Sequence, residues 1–172
     1  MDERRTAILA EIPRLRRYAR ALLRGRESSD DLVQDTLERA LTRMENWQTG
    51  DSPRRWLFTI MHHLFIDQTR RRNRRGEDAM LSLDDGEALG QRAHQQETAE
   101  AGEMLDILSA LSPDRRAAIV LVGVEGFSYA EAAAMLGVPA GTVMSRVARG
   151  REEMRRLLDD SARRRTLKVV EK

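Results

Sequence analysis

The sequence predicts an all-α fold of two small helical domains joined by a flexible acidic linker. Apolar residues recur at helical spacing through most of both halves. Aromatic residues make up only 4% of the chain, so each core must be built from Leu, Ile, Val, Met and Ala, as helical proteins manage readily. Because periodicity is lost in between, we divide the chain into a first domain (1–75), a linker (76–102), a second domain (103–160) and a basic tail (161–172).

The first domain is predicted to contain three helices. Pro13 opens the first, a capping pattern at Ser28–Asp31 starts the second, and Pro53 starts the third. Residues at helical spacing define the three buried faces: Leu15, Tyr18, Ala19 and Leu22; Leu32, Val33, Thr36, Leu37, Ala40, Leu41 and Met44; and Trp56, Leu57, Ile60, Leu64 and Phe65.

The second domain begins with two further helices. Apolar residues at helical spacing mark the first of them: Met104, Leu105, Ile107, Leu108 and Leu111. Ser112, Pro113 and Asp114 then supply an N-cap, a first-turn proline and a first-turn acid for the next helix. Its apolar residues continue to Val124, just ahead of Gly126.

Residues 128–157 have the spacing of a helix-turn-helix. Ser128 and Glu131 form a capping box for a short helix, and Gly137 supplies the turn. Ala133 lets the two helices approach, while Val143 packs the second helix on the first. The second helix carries polar and basic side chains suited to a DNA major groove: Thr142, Ser145, Arg146, Arg149 and Arg151.

An ordinary helical hairpin with a solvated basic face is the alternative, because charge runs are usually solvated. The capping box, and arginines that lie on the second helix rather than the first, favour DNA binding. Gly150 interrupts that helix at a cost of about 1 kcal/mol relative to Ala, which a close approach to DNA would explain.

Charge is distributed unevenly, although the net charge is only +2. Five closely spaced arginines close the first domain: Arg70, Arg71, Arg72, Arg74 and Arg75. They are too crowded to share one helix face, so we expect them to bind DNA phosphates rather than to read bases. The linker is acidic and the end of the chain is basic again, which indicates two nucleic-acid contacts with a different segment between them.

Composition also excludes several classes of protein. The chain has no cysteine, which rules out disulfides, zinc fingers and thiol catalysis. No apolar run approaches the roughly 20 residues of a membrane span, and the N-terminus has no signal-peptide hydrophobic region. We therefore expect no membrane insertion and a cytoplasmic protein, associated with the nucleoid if the source is bacterial.

Two sets of motifs, in order, resemble the extracytoplasmic-function (ECF, group 4) sigma factors of bacterial RNA polymerase, in the sigma-70 family. The first set is Asp30–Thr36 followed by Pro53–Ile60 and the arginine block. The second is Leu111–Arg116 followed by the helix-turn-helix that ends in Gly141–Arg146. The resemblance covers the chain from about Ile12 to Leu158 and implies sigma regions 2 and 4.

The resemblance implies that one acidic helix face binds core RNA polymerase. Asp31, Gln34 and Asp35 lie at i, i+3 and i+4 and so share that face. In sigma factors the matching face grips a basic coiled coil of the largest polymerase subunit. Without the resemblance, a capped helix with a solvated acidic first turn would be the better interpretation of these residues.

The family's −10 element matches the loop 46–52 and the start of the next helix. There a base flipped out of the nontemplate strand is captured, so the duplex opens without ATP. The residues implied are Asn46, Gln48, Thr49, Arg54, Arg55 and Trp56. A flipped base costs a few kcal/mol of stacking, which hydrogen bonds and apolar contact must offset. Trp56 has the spacing of a core residue as well as the chemistry to stack on a base.

The −35 element is assigned by the same resemblance to the recognition helix, with Thr142, Ser145, Arg146 and Arg149 as its readers. The linker would pass through the polymerase cleft, although a plain solvated tether fits its composition equally well. Relatives are commonly held inactive by an anti-sigma factor. The expected function is promoter-specific initiation, of stress-response genes in this family, without catalysis, cofactor or metal.

Two other classes of protein remain as alternatives. A freestanding operator-binding regulator would use the same helix-turn-helix but needs a dimerisation or ligand-sensing domain, for which the first half has no signature. A metal-dependent nuclease would use Asp30, Asp31 and Asp35 with the histidines. The helix macrodipole already explains acids at a helix start, and the adjacent His62 and His63 point to different faces, unlike an i, i+4 metal pair.

Overall fold

A computed structural model of the chain describes residues 3–47, 51–75 and 97–170, without the side chains of 46, 75, 97–100 and 164–170. The described ranges contain α-helices and no strand, in agreement with the predicted all-α class. The helices are α1 (Glu3–Ala10), α2 (Ile12–Leu22), α3 (Arg26–Thr42), α4 (Pro53–Arg75), α5 (Glu97–Ala110), α6 (Pro113–Ile119), α7 (Tyr129–Leu136) and α8 (Ala140–Val170).

The first domain consists of α1 to α4, one helix more than predicted. The added helix, α1, buries Ile8 in the domain core. The capping prediction at Ser28–Asp31 is wrong, because α3 begins at Arg26 with Gly25 as N-cap. Ser28 therefore lies within the first turn of α3, past the N-cap position, and the neighbouring Ser29 hydroxyl donates to the Gly25 carbonyl at 2.7 Å.

Helix α4 begins at Pro53, as predicted, and lies at the centre of the molecule. Leu57 and Phe58 are both fully buried although they point to different sides, because α4 packs on the first domain and on the second. The sequence pattern identified only Leu57. Conversely, Leu41 was predicted to face the core but is 49% exposed.

The end of the predicted linker is helical, and its helix continues into the second domain. Helix α5 begins at Glu97, inside the stretch assigned to the linker, while residues 76–96 lie outside the described part of the chain. Ser112 and Pro113 occupy the predicted N-cap and first turn of α6, but the Ser112 side chain makes no capping hydrogen bond. A π-helical turn, Val120–Val124, prolongs α6 and leaves Val124 52% exposed rather than buried.

The helix-turn-helix of α7 and α8 has the predicted local structure. The Glu131 N–H donates to Ser128 Oγ at 3.2 Å, and the Ser128 N–H donates to the Glu131 carboxylate at 2.9 Å, which completes the capping box. Gly137 ends α7 with φ of +66°, a left-handed conformation that favours glycine. Ala133 and Val143 are buried between the two helices, as their spacing predicts.

The two domains share one buried core. Phe58 of α4 meets Phe127 of the second domain edge to face, with ring centroids 5.3 Å apart. Arg116 of α6 donates to the carbonyl of Leu22, the last residue of α2, at 2.5 Å, and so satisfies a free carbonyl at that helix end. Burial lowers the pKa of Arg116, and the nearby Arg24 lowers it further.

Gly150 faces the protein interior, so the expectation that it serves a close approach to DNA is wrong. A Cβ atom at this position would lie 2.3 Å from Ile119 Cδ1 and 3.2 Å from Ile119 Cγ1. The missing side chain therefore lets α8 approach α6 closely. This close approach holds the recognition helix against the rest of its domain.

We predict that Gly150→Ala destabilises the protein by about 1 kcal/mol. The gain in helix propensity, about 1 kcal/mol, is smaller than the roughly 1–3 kcal/mol that overpacking costs. In an Ile119→Val background, which lacks the nearest methyl, the same change should be neutral or stabilising. Urea unfolding of the four proteins measures this coupling. Additive effects of the two substitutions would contradict it.

Candidate nucleic-acid interface

An acidic groove lies between α3 and the end of α4. Asp31, Gln34 and Asp35 are all exposed on one face of α3. Gln68 of α4 donates a hydrogen bond to Asp35 Oδ2 at 3.3 Å, and Arg72 also lines the groove, which has a volume of about 390 Å³. The structure thus brings together the three residues predicted to bind polymerase, on a surface that a partner can reach.

Two tryptophans bracket the loop predicted to contact the −10 element. The rings of Trp47 and Trp56 stack with centroids 5.8 Å apart and planes inclined by 11°. Trp47 Nε1 donates to the Asp51 carbonyl at 3.0 Å, which joins the two ends of the loop. Trp56 is half-buried and its ring stacks on Trp47, so part of the side chain packs inside the protein, as its helical spacing predicts.

Three of the predicted −10 side chains lie outside the described part of the structure. Gln48 and Thr49 lie outside the described residues, and of Asn46 only the backbone is described, in the short 3-10 turn Met44–Asn46. The other two predicted residues, Arg54 and Arg55, lie in the first turn of α4, beside Trp56. Both are half-buried.

Arg54 is engaged within the protein rather than free for DNA. Its Nη2 donates to the Glu125 carboxylate at 3.1 Å and to the Glu125 backbone carbonyl. Its guanidinium carbon also lies 4.4 Å from the centroid of the Phe127 ring, a cation–π contact. This partner from the second domain was not predicted, because nothing in the sequence indicates how the two domains pack.

The arginine block ends α4 and extends into a basic groove. Arg70, Arg71 and Arg74 are exposed, whereas Arg72 is half-buried beside the acidic groove, and the side chain of Arg75 is not described. A second groove, of about 400 Å³, brings Arg70 together with two arginines that were not predicted, Arg39 of α3 and Arg43, the C-cap of that helix. Their separation of four residues, about one helical turn, was the available signal.

The recognition helix α8 presents part of its predicted surface. Ser145 and Arg149 are exposed, and Thr142 is half-buried. Arg146 Nη2 donates to Asp114 Oδ2 at 2.7 Å, and only 23% of the Arg146 side chain is exposed. The four predicted −35 readers therefore lie on one helix, with Ser145 and Arg149 accessible and Arg146 held by an acid of its own domain.

The two histidines point to different sides of α4, as predicted. His63 is exposed, whereas His62 is only 5% exposed and its Nδ1 has no hydrogen-bond partner among the described residues. Burial lowers the pKa of His62 to about 4, and the charges of His63 and Arg146 lower it while Asp114 raises it. Both Asp114 and Arg146 belong to the second domain, so charges of that domain lie near His62 of the first.

The described parts of the chain contain no group of three or more His, Cys, Asp or Glu side chains that could hold a metal ion. Within the same ranges, no helix has the length and apolar character to cross a membrane.

Comparison with known proteins decides the family. The family model described as the sigma2 domain of PhyR matches residues 8–62, and the model described as sigma-70, region 4, matches residues 101–154. The ECF RNA polymerase sigma factor EcfG of Rhodopseudomonas palustris is 42% identical over 157 residues, which cover 91% of this chain and 86% of that protein. This chain belongs to the ECF sigma factor family.

Two solved structures have the same fold. The sigma factor RpoE of Bartonella quintana, in complex with the anti-sigma factor NepR, superposes with a TM-score of 0.78 at 34% identity, covering 92% of this chain and 98% of that one. CnrH, in complex with the cytosolic domain of CnrY, gives a TM-score of 0.67 at 27% identity over 91% of this chain and 88% of that one.

The two matched stretches of this ECF sigma factor include most of the surfaces described above. The first contains the acidic face of α3 and the paired tryptophans, and the second contains the helix-turn-helix. The arginine block at 70–75 lies between the matched stretches, so its assignment depends on its charge and its position at the end of α4.

The neutral state of His62 predicts a pH-dependent stability. The folded protein keeps His62 neutral down to a pKa of about 4, whereas the unfolded chain binds a proton near 6.5. Stability is therefore fully present above pH 6.5 and falls toward pH 4, by at most about 1.4 kcal/mol per pH unit. Urea unfolding at pH 7 and pH 5 measures this loss.

His62→Gln should reduce the difference between the two pH values, because the variant has no imidazole to protonate. His63→Gln serves as the matched control, since His63 is exposed on the same helix, and should retain the wild-type difference. Equal behaviour of the two variants would show that His62 is not the titrating group.

Proposed function

We propose that this protein is a promoter-specificity subunit that binds core RNA polymerase, recognises −35 and −10 elements and promotes DNA opening. The observation that carries the proposal is the 42% identity to an ECF sigma factor across both domains. Polymerase binding and promoter-specific initiation follow from that family. In this role the protein performs no catalysis of its own, and it acts in the cytoplasm, where polymerase and the nucleoid are.

The acidic groove is our candidate for the polymerase-binding surface. Asp31 and Asp35 are exposed carboxylates on one face of α3, and the basic side chains expected on the polymerase coiled coil would complement them. Gln34 lies between them and can donate or accept a hydrogen bond. The geometry supports this role because all three side chains face one groove.

The first domain also carries our candidate surface for the −10 element. Trp47 stacks on Trp56 and donates to the Asp51 carbonyl, so the described residues on either side of 48–50 are held together. Gln48 and Thr49, which we propose to contact the −10 element, lie between them in the sequence. The adjacent basic groove, with Arg39, Arg43 and Arg70, would neutralise strand phosphates beside it. A flipped base and its backbone would then contact neighbouring parts of one domain.

The second domain is proposed to read the −35 element through α8. Arg149 is exposed and has the fork of donors that pairs with guanine O6 and N7. Thr142 and Ser145 precede it on the same helix, while Arg146 must leave Asp114 before it can contact DNA. The capping box stabilises the start of α7, and α7 packs against the buried side of α8.

An anti-sigma factor is the regulatory partner we propose. RpoE of Bartonella quintana was solved bound to NepR, and this chain is similar to RpoE over almost the whole of both proteins. A protein of comparable type would control access to the surfaces described above. Which anti-sigma factor binds, and which signal releases this protein from it, depend on that partner.

Transcription in vitro tests the proposed function. The purified protein is mixed with bacterial core RNA polymerase and fragmented genomic DNA, and the transcript starts are sequenced. We expect discrete start sites that share two upstream elements and that disappear without this protein. Tight DNA binding by the protein alone, without any stimulation of polymerase, would instead support a freestanding operator-binding regulator.

We predict that Asp31→Lys combined with Asp35→Lys abolishes assembly with core polymerase while the protein stays folded. Reversing two exposed charges replaces attraction by repulsion across the proposed contact. Native gel shift or analytical ultracentrifugation with core polymerase measures assembly. Asp30→Lys with Asp159→Lys is the matched control, since both are exposed acids outside the groove. Assembly at wild-type affinity by the first variant would remove this assignment.

We predict that Arg149→Ala weakens promoter recognition mainly at one base position of the −35 element. Loss of a bidentate contact to guanine costs about 1–3 kcal/mol at that position. Transcription from a library of −35 sequences, with core polymerase present, measures the change. Arg155→Ala, farther along α8 and ion-paired with Glu152 at 2.9 Å, is the control and should preserve the wild-type preference. A uniform loss across all sequences would make Arg149 a phosphate contact.

A further inference from the structure

A buried carboxylate of the second domain is held by two arginines of the first. The Glu125 side chain is completely buried. Arg17 of α2 donates to it through Nε and Nη2, at 2.7 Å and 3.0 Å, in a bidentate ion pair. Arg54 of α4 adds a third bond at 3.1 Å. These three residues, Arg17, Arg54 and Glu125, are called the latch below.

The turn that carries Glu125 is shaped for this contact. Gly126, between Glu125 and Phe127, has a φ of +72°, a left-handed conformation that favours glycine. Phe127 is thereby placed against Phe58, and the Phe58 ring stacks in turn on Tyr18, with centroids 5.1 Å apart. The ion pairs and the aromatic contacts thus join the same turn to the same two helices, α2 and α4.

The contact between the domains engages Arg54, and a pair within the second domain engages Arg146; we assign both arginines to DNA binding. Arg54 belongs to the proposed −10 surface, and only 23% of its side chain is exposed beside Glu125. Arg146 belongs to the proposed −35 surface and is likewise 23% exposed, paired with Asp114 close to His62 of the first domain. Each domain therefore has one assigned DNA-binding arginine already paired with an acid of the protein itself.

We propose that Glu125 is an intramolecular competitor of DNA, which keeps the free protein closed and withholds Arg54 from the promoter. This inference rests on the proposed function, because withholding Arg54 from DNA has a consequence only if the protein binds a promoter. A carboxylate and a phosphate offer the same acceptor oxygens to a guanidinium. Opening of the latch would release Arg54 to phosphates or bases and would let the two domains separate.

The latch has features of a contact that can be released. Arg54 Nε and Glu11 Oε2 are buried and make no hydrogen bond with the described residues, although they lie 4.0 Å apart. Buried ion pairs recover little net free energy, because the desolvation of both charges opposes their attraction. Arg17 is 53% exposed and regains water easily when the pair breaks. Binding of either domain by polymerase could therefore shift the equilibrium toward the open state.

The test compares Glu125→Gln and Arg17→Gln with the wild-type protein. Neither residue belongs to the proposed DNA or polymerase surfaces, and each substitution removes one charge of the latch. Glu125→Gln is nearly isosteric, and Arg17→Gln shortens a side chain that is 53% exposed. Asp30→Cys and Asp159→Cys place unique spin labels on exposed sites of the two domains, since the chain has no cysteine. Pulsed electron paramagnetic resonance then gives the distance between the domains in the free protein.

We expect one short, narrow distance in the wild-type protein and a longer, broader distribution in both variants. Binding of a fluorescent promoter duplex by the free protein should tighten about ten- to hundredfold in each, the equivalent of one charge-assisted hydrogen bond. The double variant should gain little beyond either single variant, because both break the same contact. Glu153→Gln removes a 2.6 Å ion pair with Arg115 inside the second domain and should behave as wild type.

Unchanged distances between the domains and an unchanged DNA affinity in both variants would contradict the proposed role of the latch. Circular dichroism and thermal unfolding identify a variant that is misfolded, and Arg17→Gln keeps the test valid if Glu125→Gln fails to fold, because Arg17 lies at the surface. Transcription with core polymerase separates the two proposals. A wild-type protein that closes and opens as expected but directs no transcription would contradict the proposed function and leave the latch in place.

Discussion

The burial of the Glu125 carboxylate is the constraint that relates the two domains to each other. A carboxylate removed from water must be paired and hydrogen-bonded, or its desolvation would oppose folding. Arg17 and Arg54 satisfy it, which fixes α2 and α4 against the turn at Gly126. Beneath these charges the Tyr18 hydroxyl is buried without a hydrogen-bond partner among the described residues, and burial, aided by the charge of Glu125, raises the pKa of Tyr18.

A second constraint acts within the second domain, where helices must approach closely. Ala133 and Gly137 allow α7 to turn tightly into α8, and Gly150 allows α8 to lie against Ile119 of α6. The recognition helix is therefore supported from two sides by positions with little or no side chain. Its opposite side, with Ser145 and Arg149, is left to solvent. A rigid helix with one exposed polar face suits the reading of base edges.

Charge complementarity links these two constraints. Two of the arginines that we propose to bind DNA are paired with acids of the protein itself, Arg54 with Glu125 and Arg146 with Asp114. The acidic face of α3, by contrast, remains exposed in the same structure. A closed molecule would thus still offer its proposed polymerase-binding groove while two arginines proposed to bind the promoter, Arg54 and Arg146, are paired within the protein. Such an order of access would favour DNA binding after assembly with polymerase.

The helix-turn-helix and the family could be predicted from the amino-acid sequence alone. The capping box at Ser128 and the turn at Gly137 depend on hydrogen bonds and dihedral angles within a few residues, so their signals are readable in the chain. Three features became visible only in the folded molecule: the bond of Arg54 to Glu125, the start of α3 at Arg26 and the inward orientation of Gly150. Each of these three features depends on a partner distant in sequence or on a buried neighbour. The spacing of residues along the chain does not specify such contacts. Contacts between the domains arise from three-dimensional packing, which helical periodicity does not specify.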